Sequence, residues 1–209
     1  MIECIKTALV LAPHTDDGEL GMGGTIHRMV SEGSVVYEVA FSTAHDVKVH
    51  GGRNVELEEE IKKASATTGV SALQIHDFKT REFGVSRQDI LQLMIYYRDK
   101  LKPDAVFIPS TTDVHQDHIV IREEGIRCFK HSSIFGYNLG WNQIDVKNDM
   151  FIRISKENAE AKLEALGHYK TQEHRPYMQK EYQYGLLRFN GVHCNSKFAE
   201  AFEVIRINA

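Results

Sequence analysis

An apolar run, Ala8-Leu9-Val10-Leu11-Ala12, is broken by Pro13 and followed at once by His14-Thr15-Asp16-Asp17. A run of this length and composition, ended by proline, reads as a strand buried on both faces of a sheet. Gly18, Gly21, Gly23 and Gly24 come next, and then a helical pattern through Ile26, Met29 and Val30. The stretch therefore spells strand, tight loop, helix. One imidazole and two carboxylates sit at the carboxyl end of the strand, the edge at which open α/β sheets bind ligands. A second buried-looking strand, Ala105 to Pro109, leads into another cluster, Asp113-Val114-His115-Gln116-Asp117-His118.

Between and beyond these stretches, strand and helix patterns alternate. Ser34 to Phe41 is β-branched and aromatic, and Val55 to Thr68 is a helix with a charged face and Gly69 as its C-terminal cap. Ala72 to Phe78 is a weaker strand. Ile90 to Leu101 repeats at helical spacing until Pro103 stops it. Ile119 to Lys130 reads as helix, Ile134 to Tyr137 and Phe151 to Ile154 as short strands, and Ser155 as the cap of a helix over Lys156 to Gly167. Lys180 to Phe189 is helical, and Phe198 to Ile207 is a closing strand. The expectation is one α/β domain over residues 1–209: a Rossmann-like, doubly wound, mostly parallel sheet with helices on both faces. That winding sets the first and fourth strands side by side, so the two clusters meet although about a hundred residues separate them.

Composition excludes several functions. The net charge is −4 without a basic stripe, which gives nucleic acid no concentrated positive face. No apolar stretch approaches the ~18 residues of a membrane span. Cys4, Cys128 and Cys194 lie far apart and form no CxxC, which fits a reduced, cytoplasmic setting. A homo-oligomer is left open.

His14 and Asp17, three apart on one loop, can face one point, and His118 can join them from across the crevice. Two imidazoles and a carboxylate with an open fourth position make a catalytic zinc arrangement. Asp16 and His115 would stand beside it as base and charge stabiliser, with Asp117 holding His115 by a hydrogen bond. Plainer readings compete. Asp16 or Asp17 could merely cap the helix. The glycines could serve only the turn, or cradle a phosphate, although GxGxxG spacing is missing. Trp141 and its aromatic neighbours read as core rather than as a substrate platform.

The segment Ala12 to Gly24, with its Pro-His-Thr-Asp-Asp-Gly core, resembles the signature of the PIG-L/LmbE family of zinc-dependent N-deacetylases, and Asp113 to His118 resembles its second motif. Tyr169 to Gln172 and Ala199 to Arg206 are similar to family sequence as well. The resemblance implies an LmbE-like, Rossmann-like fold and hydrolysis of the N-acetyl group of an N-acetylated amino sugar or glycoconjugate. His14, Asp17 and His118 would hold Zn²⁺, with Asp16 as general base and His115 stabilising or protonating the tetrahedral intermediate. Two departures stand out: Thr15 where proline is common, and Gly18 where an acidic residue is common, which removes a carboxylate from the loop. Arg53 and Arg81 are candidates for substrate contact. The alternatives are a metal-independent nucleotide- or sugar-binding module on the same fold, and a metal-dependent phosphoesterase.

Overall fold

The computed structural model describes residues 4–44 and 54–208. In chain order these form β1 (Thr7–His14), α1 (Asp17–Ser31), β2 (Val35–Ser42), α2 (Val55–Thr68), β3 (Ala72–Ile75), α3 (Arg87–Leu101), β4 (Ala105–Pro109), α4 (Gln116–Cys128), β5 (Ser133–Tyr137), β6 (Met150–Ile154), α5 (Lys156–Leu166), α6 (Lys180–His193) and β7 (Phe198–Arg206), with short 3-10 turns at Gly140–Asn142, Lys170–Gln172 and Pro176–Met178. The strands make one seven-stranded sheet in the order β3-β2-β1-β4-β5-β7-β6. From β3 to β5 all pairs are parallel, and β7 runs antiparallel to both β5 and β6.

Strand alternation sorts the core into two layers. Ala8, Val10, Phe107 and Phe135 pack with Ile26, Met29, Ile61, Ala165 and Leu187, so α1, α2, α5 and α6 cover one face. Leu9, Leu11, Val39, Val106 and Ile108 point the other way, onto Ile90 and Met94 of α3 and Ile121 of α4. Both faces of β1 are therefore buried, which is why its sequence is apolar without alternation. β1 pairs with β4 through Ala8↔Ala105, Leu9↔Val106 and Val10↔Phe107. This is the crevice the alternating pattern implies, and both polar clusters follow strands that flank it.

The helix after the first loop is not the continuous one its periodicity suggests. α1 is kinked at Met22 (φ −151°, ψ 22°). A buried ion pair sits at the break. Lys162 Nζ donates to Leu20 O and to Glu200 Oε1, both at 2.7 Å, and Glu200 accepts the amides of Gly24 (3.2 Å) and Thr25 (2.6 Å). Lys162 thus serves the end of the first turn, and Glu200 the amide end of the rest of the helix. Side chains at the flanking glycines would collide with their neighbours: a Cβ on Gly21 would lie 2.5 Å from Tyr137 and one on Gly24 2.6 Å from Ile154. With the Gly24 and Thr25 amides already bonded to Glu200, this glycine loop is built for close packing rather than as a phosphate cradle. Lys162→Met should leave the Glu200 carboxylate buried without its cation and cost about 3–5 kcal/mol. Denaturant unfolding reads this directly, and an unchanged midpoint would show that the pair does not hold the kink.

Candidate metal centre

His14 closes β1, and Asp17 opens α1. The tight loop turns the Asp17 carboxylate back so that its Oδ2 accepts the His14 backbone N–H (2.8 Å). The same oxygen lies 3.2 Å from His14 Nδ1 and 3.3 Å from Nε2 of His118, and the two ring nitrogens are 3.2 Å apart. Three donor atoms, two from the turn between β1 and α1 and one from the first turn of α4, thus form a nearly equilateral triangle. The outer nitrogen of each imidazole is held by a different carboxylate: His14 Nε2 by Asp117 Oδ2 (3.1 Å), and His118 Nδ1 by Asp113 Oδ2 (2.8 Å). Donation outward leaves both inner lone pairs facing the Asp17 oxygen. Three acceptors aimed at one point repel one another unless a cation, either a metal ion or protons, stands among them.

Among the described residues, the ring nitrogens of His14, His115 and His118 also lie within 4.8 Å of one another, a group able to hold a metal ion. The triangle with Asp17 in place of His115 is tighter, and His115 has other work. Its Nδ1 accepts the Asp117 backbone N–H (3.3 Å), which leaves the hydrogen on Nε2. Burial first, and then the charges of His118 and His14, pull its pKa down to about 4. With Nδ1 engaged in this way, a neutral His115 can still donate from Nε2. Asp117 also differs from expectation. Its side chain orients His14 rather than His115 and accepts the Arg81 backbone N–H (2.7 Å) as well.

Without a metal, the carboxylates draw protons into the triangle. Burial opposes a charge on His14, but Asp117 and Asp17 outweigh it and push its pKa up to about 9. For His118, burial is overcome by Asp17 and Asp113, and the pKa rises to about 10. Burial likewise opposes ionisation of Asp17, yet the His118 charge and the imidazole hydrogen bonds hold it well below the usual carboxylate range. Asp16 is the opposite case. Burial and the adjacent Asp17 charge raise it to about 6, against the pull of His14 and Arg175. Asp16 occupies the N-cap position of α1 but makes no side-chain cap bond, so helix capping does not account for it.

The Gly18 departure has a structural counterpart. A Cβ on Gly18 would lie 2.1 Å from Glu38 Oε1. A carboxylate supplied by β2 stands where a side chain at residue 18 would go. Ser65 Oγ donates to Glu38 Oε2 (2.9 Å), and burial raises Glu38 to about 7. Tyr169 ties the loop down beside it, its hydroxyl bonding Thr15 O (2.6 Å) and Glu19 Oε2 (2.9 Å).

The triangle lies at the base of a cleft of about 510 Å³ whose lining includes Asp16, Arg81, His115, Trp141, Arg175 and Tyr177. Arg81 reaches it with its backbone in the left-handed region (φ 68°), an uncommon conformation for such a residue, secured through Asp117. Arg53 lies outside the described residues. Arg175 and Tyr177 carry no mark of a site in the sequence: the likeness to family sequence ends at Gln172, and the residues after it read as a polar loop. Trp141 packs on the core, as its composition suggested, but it also lines the cleft.

Residues 9–129 match the model of the family described as PIG-L, GlcNAc-PI de-N-acetylase. The chain is similar to the diacetylchitobiose deacetylase of Thermococcus kodakarensis, at 26% identity over 181 residues that cover 82% of this chain and 62% of that relative. Its fold is similar to that of the N,N'-diacetylchitobiose deacetylase of Pyrococcus horikoshii, with a TM-score of 0.79, 20% identity and coverage of 98% and 85% of the two chains. It is equally similar to GalB, the 4-carboxy-2-hydroxymuconate hydratase of Pseudomonas putida KT2440, with a TM-score of 0.78, 18% identity and 98% of each chain covered. A fold shared by a deacetylase and a hydratase does not choose the reaction, which has to be argued from the site.

Proposed function

The chain belongs to the PIG-L (GlcNAc-PI de-N-acetylase) family, and on that premise we propose that it is a zinc-dependent hydrolase removing the N-acetyl group from an amino sugar or glycoconjugate. The observation that carries this reading is the triangle of His14, Asp17 and His118 with Asp16 beside it. Donors about 2.0–2.1 Å from a tetrahedral zinc ion lie about 3.3–3.4 Å from one another. The edges of 3.2, 3.2 and 3.3 Å fit that ion. The donor set also fits, being two imidazoles and a carboxylate with a face left open towards the cleft and each imidazole backed by a carboxylate.

Zinc held there would supply Lewis acidity, making a water acidic near neutral pH and polarising a carbonyl oxygen. The chain's own groups do the rest. Asp16, with a pKa of about 6, is largely ionised at neutral pH and accepts the proton of the attacking water. Negative charge then grows on the amide oxygen, and the Nε2–H of His115 is free to donate to it. The leaving amine takes its proton back from Asp16, which resets the base. Acetate and a free amino sugar are the products.

His115→Ala should keep its zinc, since the tight triangle does not include this residue. Loss of one charge-stabilising donor typically costs about 10²–10³ in kcat with KM little altered. Steady-state kinetics on an N-acetyl sugar, with metal content measured on the same sample, would read this, and an unchanged kcat would remove His115 from the chemistry. The reading as a whole is tested by acetate release from a panel of N-acetyl sugars, free and nucleotide-linked. Activity should disappear with a chelator and return with zinc. Full activity in metal-free protein would end the proposal.

A further inference from the structure

We propose that Trp141 and Tyr177 form a sugar subsite for the pyranose ring attached to the reacting amino sugar, an inference that rests on the deacetylase reading for the identity of the first ring. Their rings are parallel, 3.8 Å between centroids and 4° between planes. They come from segments far apart in the chain, and each segment is pinned. The Trp141 segment is joined to the His115 loop, where the Val114 N–H donates to Asn142 O (3.0 Å) and Gln143 Nε2 to Thr112 Oγ1 (2.8 Å). On the other side, Tyr177 O accepts Gln183 Nε2 (2.7 Å), and Met178, next in the chain, is buried. Arg175 donates to the Tyr177 hydroxyl, and its guanidinium lies 5.7 Å from the centre of that ring.

Core aromatics of this protein look different. Tyr137 and Tyr169 are fully buried, with their hydroxyls spent on Leu11 O, Thr15 O and Glu19. Trp141 and Tyr177 are only partly buried and line the same cleft as His14, Asp16 and His115. A pyranose has an apolar C–H face edged by hydroxyls. Stacked on each other, the two rings cover one face apiece, and the aromatic surface they leave at the cleft takes the sugar's face out of water, while nearby neutral amides satisfy the hydroxyls, and Asn142 and Gln172 bring such amides to the cleft. At about 510 Å³ the cleft has room for more than the acetamide end of a substrate. Because Asn142 is tied to the His115 loop, the wall is held in register with the reacting group before substrate arrives.

Trp141 is the protein's only tryptophan, so its fluorescence reports the wall without turnover. The probes are glucosamine, its β-1,4 disaccharide, which carries no acetyl group, and UMP, each titrated into zinc-loaded and chelator-treated protein. The disaccharide should give a saturable change with affinity about tenfold or more above that of glucosamine, and UMP none. Kinetics complete the test. Trp141→Ala and Tyr177→Ala should lower kcat/KM on N,N'-diacetylchitobiose about tenfold while leaving N-acetylglucosamine within about twofold, and Trp141→Phe should restore most of the loss. An equal fall on both substrates would make the pair structural, and saturation by UMP would make the wall a nucleobase site. Either result overturns the proposal, as does wild-type protein that treats the two substrates alike. Disaccharide binding at Trp141 without acetate release from either substrate would instead overturn the deacetylase reading and leave the subsite standing.

Discussion

Asp16→Asn is expected to keep its zinc and to lose about 10²–10⁴ in kcat, the usual penalty for removing a general base. The side chain keeps its shape but can no longer take up a proton. Metal affinity should hold because the tight triangle is made by the neighbouring Asp17, which turns back onto His14 and His118. The pH profile adds a sharper check. Burial and the Asp17 charge raise Asp16 to about 6 in the metal-free site, and zinc beside it would pull that value down, so in the wild type kcat/KM should fall as the pH drops through the lowered value and the base becomes protonated. In residual Asp16→Asn activity that acidic limb should vanish or move. Metal content, zinc affinity and the pH profile are to be measured side by side on the same preparations. Loss of metal by Asp16→Asn would reverse the roles given to the two neighbouring carboxylates.

The second large effect is on the metal. His118→Ala should lose most of the zinc affinity and, with it, nearly all activity, because it removes the only donor of the tight triangle that comes from α4. Asp17→Asn should weaken binding less completely, since an amide oxygen can still approach the ion, and excess zinc should recover part of its activity. Metal uptake by the wild type should release protons. His14 and His118, raised to about 9 and about 10 in the metal-free site, carry protons at pH 7 and must give them up to ligate. Affinity should therefore weaken as pH falls. Calorimetry in buffers of differing ionisation enthalpy would count the protons, with about two expected at pH 7. No proton release and a pH-independent affinity would place the metal elsewhere.

Asp16 and Asp17 show what could be learned in advance. Both were legible as candidates for the site, because they follow a buried strand whose carboxyl end opens on the sheet's crevice. Their division of labour was a reasoned expectation, and the folded loop supports it by aiming only Asp17 at the imidazoles. The carboxylates that hold the outer imidazole nitrogens were not legible in the same way. Asp117 lies two residues from His115 in sequence but orients His14, while Asp113 orients His118. That assignment depends on how α4 sits beside β1, and spacing within one hexapeptide cannot reveal it. Gly18 taught a similar lesson. Read alone it removes a carboxylate, whereas in the fold Glu38 occupies the vacated space from the neighbouring strand.

The chain's local chemistry was enough to determine the alternating α/β architecture, the apolar β1 and β4, and the two clusters at their carboxyl ends, because hydrophobic periodicity and strand-ending residues act over a few positions. Tertiary structure decided the rest. It broke α1 at Met22 by driving Lys162 and Glu200 into the gap, each drawn to backbone groups that a kink exposes. It also brought Trp141, Arg175 and Tyr177 to the cleft from segments that carry no local sign of a site. Contacts of that kind are set by which elements pack side by side, and packing joins residues whose separation along the chain carries no information about their separation in space.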